Sequence, residues 1–405
     1  MLRRYFVRNL SLLSTGLFAG VLQPAWSRDL RKALGRADGM LPSEIATDED
    51  FWYYVEQAFS KGPNIINLNN GGVSPAPRVV AEAMKQHYDF INEAPSLYMW
   101  RTLDQGREPL RRKLALVAGC TLDEIAINRN ASEGLDTVLA GLSFSAGDEI
   151  VACRQDYNHA VYALQQLERR SGVKVNWVDL KLPSEDETYL VGQYVQAFTP
   201  KTKLLLLTHV INWNGQVLPV AAIAAEARRR GIEVLVDGAH SFNQFPFTIP
   251  SLNADYFVTS LHKWTFAPVG VGMLWVRKEK IAKLFPLHAT ADPTSGDIRK
   301  FESLGTRPFY IEQATGRALD FNDMIGLERK QQRLNYLKNY WMDRVRDLPG
   351  VRLLSSAHPK WGCAIGMIAI EGRKPNDLDA FLFNKYRVHC TVINWGGISG
   401  VRITP

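Results

Sequence analysis

The chain has 405 residues, of which 46% are hydrophobic and 22% are charged, an ordinary globular balance with enough apolar material for two domains. Its net charge of +7 lies almost wholly in residues 1–36, which carry +6. The rest is nearly neutral and lacks a basic stripe interleaved with aromatic residues, so nucleic-acid binding is not predicted.

The first residues have the layout of a bacterial export signal. Arg3 and Arg4 precede an apolar stretch over residues 10–22, and Ala25-Trp26-Ser27 fits a small-x-small cleavage site. We predict a twin-arginine (Tat) signal peptide over residues 1–27, hence a periplasmic protein with no stable membrane association after cleavage. Retention as an N-terminal anchor is the alternative, although the apolar stretch is short for a membrane span.

Strands that alternate with helices are predicted as far as about residue 300. Residues 28–60 form an amphipathic helical pattern, and the chain beyond them alternates apolar runs with helical periodicity at short connections. The uninterrupted run "KLLLLTHV" (203–210) fits a strand buried on both faces of a parallel sheet. These patterns indicate an α/β domain with a mainly parallel sheet.

The pattern changes after residue 300. A polar helical pattern spans about 312–347, and "GMIAIEG", "NDLDAFLFNKY" and "RVHCTVINW" then indicate a small α+β domain. The chain stops at "GVRITP", directly after a predicted strand, so one interpretation is that this domain is truncated. We divide the chain into a signal peptide (1–27), an N-terminal helical segment (28–62), a large domain (63–310) and a small C-terminal domain (311–405).

The four cysteines are widely spaced and include no CxxC pair. This spacing favours small buried side chains over a disulfide framework, and no metal site is predicted. The residues are Cys120, Cys153, Cys363 and Cys390.

Polar residues follow three of the predicted strands, where ligands bind in open α/β sheets. Asn130-Ala131-Ser132 opens a helix whose free N–H groups suit a phosphate, although an ordinary N-cap serine gives the same pattern. Asp237 and Lys263 follow two later strands, where burying a charged side chain costs free energy unless it is paired or takes part in chemistry. For Asp237, a structural role in binding backbone amides is the alternative. Together they meet the requirements of pyridoxal 5'-phosphate (PLP): an anion cradle, a carboxylate for the pyridine nitrogen and an amine for a Schiff base.

Two segments carry a resemblance to a known family. "VDGAH" (236–240) followed by "SLHKWTFAPVGVG" (260–272) resembles the class V aminotransferase family of fold type I PLP enzymes, which includes cysteine desulfurases and isopenicillin N epimerase-like proteins. The resemblance covers about residues 64–405. It implies a seven-stranded, mainly parallel sheet with helices on both faces, a small C-terminal α+β domain, PLP held as an internal aldimine on Lys263, and a homodimer.

The resemblance also implies roles for individual residues. Lys263 matches the Schiff-base lysine, Asp237 the carboxylate at the pyridine nitrogen, and His240 the residue at the ring hydroxyl. Asn212 matches the asparagine near the ring and the substrate, and Arg402 the arginine that pairs with the substrate carboxylate. The remaining matches are Asn130, Ala131, Ser132, Ser260 and His262 at the phosphate, Thr306 reaching the partner subunit's phosphate, and Asn70 and Gly71 in the substrate pocket.

Two positions depart from the family pattern. The residue that stacks on the cofactor ring is ambiguous in "QDYNHA", and we favour Tyr157 over His159. Desulfurases carry a nucleophilic cysteine on a mobile loop, whereas Cys390 lies in a strand-like segment where packing is the favoured role.

We therefore predict an enzyme that acts on a small-molecule amino acid or amino group by epimerase, aminotransferase or lyase chemistry. Lys263 is the expected acid and base at the α-carbon, and pocket shape selects among these reactions. The alternatives are a cysteine desulfurase or C–S lyase, and an exported PLP-binding protein without catalysis.

Overall fold

The computed structural model describes residues 25–405, so most of the predicted signal peptide lies outside the described residues. The N-terminal segment, predicted to be helical, forms three helices. Asp48 ends the loop before the third, where its carboxylate accepts a hydrogen bond from Phe51 N at 3.0 Å and caps the helix. The helices are α1 (Ala25–Arg36), α2 (Pro42–Ile45) and α3 (Glu49–Glu56).

The large domain is built on a seven-stranded sheet. Its strands are β2 (Ile125–Asn128), β3 (Glu149–Cys153), β4 (Lys174–Val178), β5 (Thr202–Thr208), β6 (Glu233–Asp237), β7 (Tyr256–Ser260) and β8 (Gly272–Val276). Their order is β2-β8-β7-β6-β5-β3-β4, in which β8 runs antiparallel to both neighbours and the other neighbouring pairs are parallel. The sheet confirms the predicted fold class.

Helices cover both faces of this sheet. They are α4 (Arg78–Glu93), α5 (Pro95–Tyr98), α6 (Arg107–Ala118), α7 (Ala131–Gly141), α8 (Asn158–Ser171), α9 (Glu187–Ala197) and α10 (Val220–Arg229). Alternate residues of β5 enter two separate cores: Leu205 packs with residues of α6, α9 and α10, and Leu206 packs with residues of α7 and α8. This two-sided burial explains the uninterrupted apolar run in β5.

Short helical turns complete the connections. A π-helical turn spans Met99–Leu103, and 3₁₀ turns span Asp104–Gly106, Leu122–Glu124, Ile249–Leu252, Lys278–Lys283 and Ile298–Glu302. Within residues 25–405, no helix is both long and apolar enough to cross a membrane.

The C-terminal part begins with two helices where the sequence pattern indicates one. Gly326, at φ 89°, separates α11 (Phe309–Ile325) from α12 (Leu327–Val345), because glycine tolerates this backbone conformation. Helix α11 packs against α4 and α6 of the large domain and, through Phe321 and Ile325, against the N-terminal helices. The domain boundary near residue 310 stays a prediction.

A four-stranded antiparallel sheet forms the rest of the small domain. Its order is β12-β13-β10-β9, and α13 (Pro375–Tyr386) packs against β12 and β13. A separate parallel pair, β1 with β11, and a bridge between Asn69 and Thr404 connect the chain before α4 to the small domain. The strands are β1 (Ile66–Asn67), β9 (Val351–Leu353), β10 (Gly366–Ile370), β11 (Val388–His389), β12 (Thr391–Trp395) and β13 (Ile398–Ile403).

Candidate active site

The candidate site lies at the carboxyl ends of β5, β6 and β7. Thr208 pairs in register with Asp237, and Asp237 pairs with Val258 on the next strand. Because these three strands are parallel, their ends meet at one edge of the sheet, and the loop that carries Lys263 leaves from the same edge. Strand topology therefore brings together residues that are well separated in sequence.

Lys263 is mostly buried and keeps a small exposed surface. Its Nζ lies 3.0 Å from His240 Nε2. Burial lowers the pKa of Lys263 to about 8, although the negative charge of Asp237 opposes this shift. Burial also holds the pKa of His240 well below its usual range, so the neutral ring accepts a hydrogen bond from Lys263 through Nε2.

Asp237 is a buried carboxylate at the end of β6. Its Oδ1 accepts a hydrogen bond from Ala239 N at 2.9 Å. Burial raises the pKa of Asp237, while that backbone bond and the charge of Lys263 lower it. A cationic group placed against this carboxylate would stabilise its charged form.

The predicted phosphate turn lies beside β7. Asn130, rather than Ser132, caps α7: its Oδ1 accepts a hydrogen bond from Glu133 N at 2.9 Å. Ala131 N donates to Ser260 Oγ at 2.9 Å, so the structure joins these two predicted ligands. Ser132 is half-buried in the first turn of α7, where backbone N–H groups favour an anion.

His262 stands between Ser260 and Lys263. Its Nδ1 is buried without a hydrogen-bond partner, and burial lowers its pKa to about 4. The ring is therefore neutral near pH 7 and can donate one hydrogen bond to a ligand.

Arg402 projects from β13 and is buried. It donates from Nη1 to Asn212 O at 3.0 Å and from Nη2 to Asn69 Oδ1 at 2.8 Å. Burial lowers its pKa to about 10, so the guanidinium remains charged at neutral pH. These contacts bring Asn212 and Arg402 together, and their roles at the substrate stay predictions.

The N-terminal pocket loop differs in detail from the prediction. Asn69 contacts Arg402, whereas the side chain of Asn70 pairs with Asn67 at 2.5 Å. Gly71 N donates to Thr404 Oγ1 at 2.9 Å, and a Cβ on Gly71 would lie 2.9 Å from Thr404 Cγ2. The glycine therefore permits close approach of this loop to the C-terminal strand.

Aromatic residues form a wall beside Lys263. The Tyr157 ring is 40% exposed, and its centroid lies 5.9 Å from Lys263 Nζ. Trp213 lies 6.2 Å from Tyr157 and 6.1 Å from Trp395, between ring centroids. His159 turns instead towards Asp136, with its Nε2 3.2 Å from the carboxylate, so the geometry favours Tyr157 as the stacking residue.

Thr306 stands apart from these residues on an exposed turn. Its neighbours Leu304 and Arg307 line the same hollow as Asn128 and Arg129, next to the phosphate turn. The turn follows Glu302, whose buried carboxylate pairs with the guanidinium groups of two arginines and accepts a hydrogen bond from Ile127 N at 2.6 Å; the arginines are Arg107 and Arg111.

Cys390 lies between β11 and β12 and is only 3% exposed. Burial raises the pKa of its thiol to about 11. A buried thiol that resists ionisation is a packing group, in agreement with the favoured interpretation of the sequence.

Four residues at the site were not predicted from the sequence. They are Ser74, which binds the main chain at Lys263, Asn69 at Arg402, and the wall residues Trp213 and Trp395. Ser74 and Asn69 lie on either side of the predicted pocket residues Asn70 and Gly71, and Trp213 directly follows Asn212. Closeness in sequence to a predicted residue is therefore the signal that could have identified these three.

Buried polar atoms without hydrogen-bond partners gather around Lys263. Leaving such atoms unpaired costs free energy, which a polar ligand can offset. Together with the N-terminus of α7, the Asp237 carboxylate and the Lys263 amine, these polar groups fit PLP. The atoms are Asn212 Oδ1, Trp213 Nε1, His240 Nδ1, His262 Nδ1, Trp264 Nε1, Trp395 Nε1 and Arg402 Nε.

Comparison with known proteins agrees with this chemistry. The family model for class-V aminotransferases matches residues 66–392. An isopenicillin N epimerase of Streptomyces clavuligerus is 28% identical over 82% of this chain and 87% of its own length. A probable cysteine desulfurase of Halalkalibacterium halodurans is 27% identical over 79% of this chain and 81% of its own length.

Solved structures show the same fold. The cystine C–S lyase C-DES, in complex with its product cysteine persulfide, superposes with a TM-score of 0.75 at 24% identity, covering 84% of this chain and 93% of that one. The apo cysteine desulfurase of Thermococcus onnurineus NA1 gives 0.73 at 22% identity, covering 84% of this chain and 90% of that one. The chain therefore belongs to the class-V aminotransferase family and is a PLP-dependent enzyme.

Proposed function

We propose that this enzyme moves a proton at the α-carbon of an amino acid and acts as an epimerase or racemase. The observation that carries the proposal is the mostly buried Lys263 amine, whose pKa is lowered to about 8, at the site that also holds Arg402. Such an amine takes and returns protons near neutral pH. The epimerase relative, at 28% identity, supports this reaction type over the others that PLP permits.

In this proposal, the residues around Lys263 hold PLP by its two ends. Asp237 would hold the pyridine nitrogen, His240 and Asn212 would bind the ring, and Tyr157 would pack against it. When bound, PLP withdraws electron density from the α-carbon of an amino substrate and so acidifies its proton. The phosphate ligands are the N-terminus of α7, from Asn130 to Ser132, with Ser260 and His262.

The substrate is oriented by Arg402. Its guanidinium is held by Asn212 O and Asn69 Oδ1, so the planar group is fixed before a carboxylate arrives. A fixed guanidinium recognises a carboxylate through two parallel hydrogen bonds. The aromatic wall of Tyr157, Trp213 and Trp395 excludes water from the side of the pocket that it covers.

Proton movement is assigned to Lys263 Nζ. Neutral His240 accepts a hydrogen bond from this nitrogen, and Arg402 disfavours a second positive charge nearby. The free amine removes the α-proton and the resulting ammonium returns it. Return of the proton by Lys263 to the face from which it was taken restores the configuration, so inversion requires that a proton is delivered to the opposite face of the carbon.

A desulfurase mechanism receives less support from this chain. It needs a thiolate that reaches the substrate, and Cys390 is buried with a thiol pKa raised to about 11. A C–S lyase, which needs no such cysteine, and a transaminase remain as outcomes of the test below.

The test follows the α-proton in deuterated water. PLP-loaded protein is incubated with each enantiomer of a panel of amino acids, and deuterium, chirality, keto acid and sulfide are measured. Deuterium uptake with loss of chirality supports the proposal, and the Lys263→Ala variant is the control that should lose it. Keto acid or sulfide without racemisation would assign transaminase or lyase chemistry instead, and no exchange with any amine would favour a silent PLP-binding protein.

We further propose that the active form is a homodimer in which Thr306 of one subunit contacts the phosphate in the other. Its exposure beside the phosphate turn supports this arrangement. Mixing a Lys263→Ala subunit with a Thr306→Val subunit should then restore activity, because one of the two sites carries both native residues. Absence of restoration in verified mixed dimers would count against a site shared between subunits.

We also propose export to the periplasm by the Tat route, on the basis of the Arg3-Arg4 pair and the apolar stretch that follows it. Replacing both arginines with lysine should retain the protein in the cytoplasm, as measured by cell fractionation. Unchanged periplasmic recovery would contradict a twin-arginine signal.

A further inference from the structure

The main chain on both sides of Lys263 is held by side chains from distant parts of the sequence. On the N-terminal side, Ser74 N and Oγ donate to His262 O at 3.0 and 3.2 Å. Ser74 Oγ also donates to Lys263 O at 2.6 Å. The carbonyl groups of two successive residues are therefore bound by one serine in the loop before α4.

On the C-terminal side, the next two carbonyl groups are bound from α11 and α12. Lys330 Nζ donates to Trp264 O at 2.8 Å, and Asn322 Nδ2 donates to Thr265 O at 2.8 Å. Lys330 also donates to Asn322 Oδ1, which joins the two residues into one unit. Four consecutive carbonyl groups, 262 to 265, thus have side-chain partners outside their own loop.

Lys330 is a buried cation, only 4% exposed. Its Nζ donates to the main-chain carbonyl of Trp264 and to the side-chain amide oxygen of Asn322, and lies 4.8 Å from the centroid of the Phe266 ring. Burial lowers its pKa to about 7. Burying a lysine without a carboxylate among these partners carries a desolvation cost, which its hydrogen bonds to Trp264 O and Asn322 offset in part.

The loop that these residues hold is strained. Phe266 has φ 61°, in the left-handed region that a bulky residue rarely adopts. Its ring packs against Phe59 and Phe321, with centroids 5.5 and 6.4 Å away, and its N donates to Lys263 O at 3.2 Å. Such a conformation persists only where its surroundings enforce it, and it is common next to reactive groups.

We propose that Lys330 and Asn322 are positioning residues for Lys263. They bind the carbonyl groups of Trp264 and Thr265, enforce the turn at Phe266, and thereby hold the Lys263 backbone so that its amine meets the cofactor aldehyde and the substrate. The inference rests on the proposed role of Lys263 as the reactive amine. Neither residue touches the reacting atoms in this proposal.

Lys338 provides a matched control on the same helix. It is 1% exposed, and its Nζ donates to a main-chain carbonyl, Ser356 O, at 2.6 Å. Replacing either lysine with methionine removes one buried amine and one bond from α12 to a main-chain carbonyl; Lys330→Met also removes the bond to Asn322, the second member of the unit under test. Any difference between the two variants therefore reports on the loop that is bound rather than on loss of a buried lysine.

The first experiment measures amide hydrogen exchange in the cofactor-free protein. Lys330→Met should exchange roughly ten- to a hundredfold faster than wild type in a peptide covering residues 261–268, as expected when the buried carbonyl of Trp264 loses its hydrogen-bond partner. Lys338→Met should leave that peptide unchanged and affect residues 355–362 instead. Equal exchange at 261–268 in both variants overturns the proposal, whether or not the protein binds PLP.

The second experiment measures the rate at which Lys263 captures PLP, which is followed by the absorbance of the cofactor. It also measures the affinity for pyridoxamine 5'-phosphate, which cannot bond covalently to lysine. In Lys330→Met, capture should slow at least about tenfold, because the buried carbonyl of Trp264 loses its hydrogen-bond partner. The affinity for pyridoxamine 5'-phosphate should stay near the wild-type value. Unchanged capture despite a mobile loop would assign Lys330 to stability alone and overturn the positioning role.

Asn322→Asp keeps the experiment decisive if Lys330→Met does not fold. Aspartate retains an acceptor for Lys330 but cannot donate to Thr265 O, so it loosens the loop without removing the cation. Slower capture and faster exchange at 261–268 are again expected. Wild-type values for both would overturn the proposal, and failure of the wild type to bind PLP would instead refute the proposed function.

Discussion

Arg402→Lys gives the sharpest test of how the enzyme selects its substrate. The guanidinium is positioned by Asn212 O and Asn69 Oδ1, and its Nε is buried without a partner. Hydrogen bonds between charged groups contribute about 1.5–3 kcal/mol each. Lysine keeps the charge but offers a carboxylate one bond where arginine offers two, so losing one bond should weaken binding roughly ten- to a hundredfold.

The assay titrates PLP-loaded protein with an α-amino acid and with its carboxamide, following the cofactor absorbance. Arg402→Lys should weaken binding of the acid by that factor and change binding of the carboxamide by less than about threefold, because the amide has no charge for the guanidinium to bind. Asn69→Ala, which removes one bond that orients Arg402, should weaken binding of the acid by about fivefold. Equal weakening of acid and carboxamide would show that Arg402 serves folding rather than carboxylate recognition.

Three further predictions follow from buried side chains. Cys390→Ser should leave turnover within about twofold of wild type, because a buried thiol is a packing group, and the control Cys363→Ser should behave in the same way. Loss of sulfur release in Cys390→Ser alone would support the desulfurase alternative. Trp213→Leu should weaken binding of aromatic amino acids about tenfold more than binding of the amino acid alanine, since the aromatic wall loses an indole face. Equal weakening for the two kinds of substrate would contradict a role of Trp213 in specificity. Burial raises the pKa of Asp156 to about 7. Between about pH 4 and 7, the folded chain therefore keeps a proton on Asp156 that the unfolded chain has released. The free energy of unfolding should fall as the pH rises through this range. Denaturant unfolding of Asp156→Asn, whose amide can still pair with Thr208 and Cys153 N, should lack that part of the pH dependence.

Local sequence patterns predict the parts of the molecule that depend on chain order. Apolar runs alternating with helical periodicity indicate the α/β fold, and a residue that directly follows a buried parallel strand must lie at the ligand-binding edge. This is why Asp237, Ser260 and Lys263 could be placed at one site before their contacts were known. The prediction of a single helix over 312–347 was wrong, because Gly326 divides this segment into two helices at a backbone conformation that the periodicity does not reveal.

The sequence by itself therefore determined the family, the cofactor and the set of polar residues at the strand ends. Only the tertiary structure decided that Asn69 rather than Asn70 meets Arg402, that Tyr157 rather than His159 turns towards Lys263, and that α11 and α12 bind the loop. The physical reason is separation along the chain. Lys330 lies 66 residues from Trp264 and Arg402 lies 333 from Asn69, and contacts over such distances depend on how helices and sheets pack rather than on any local pattern.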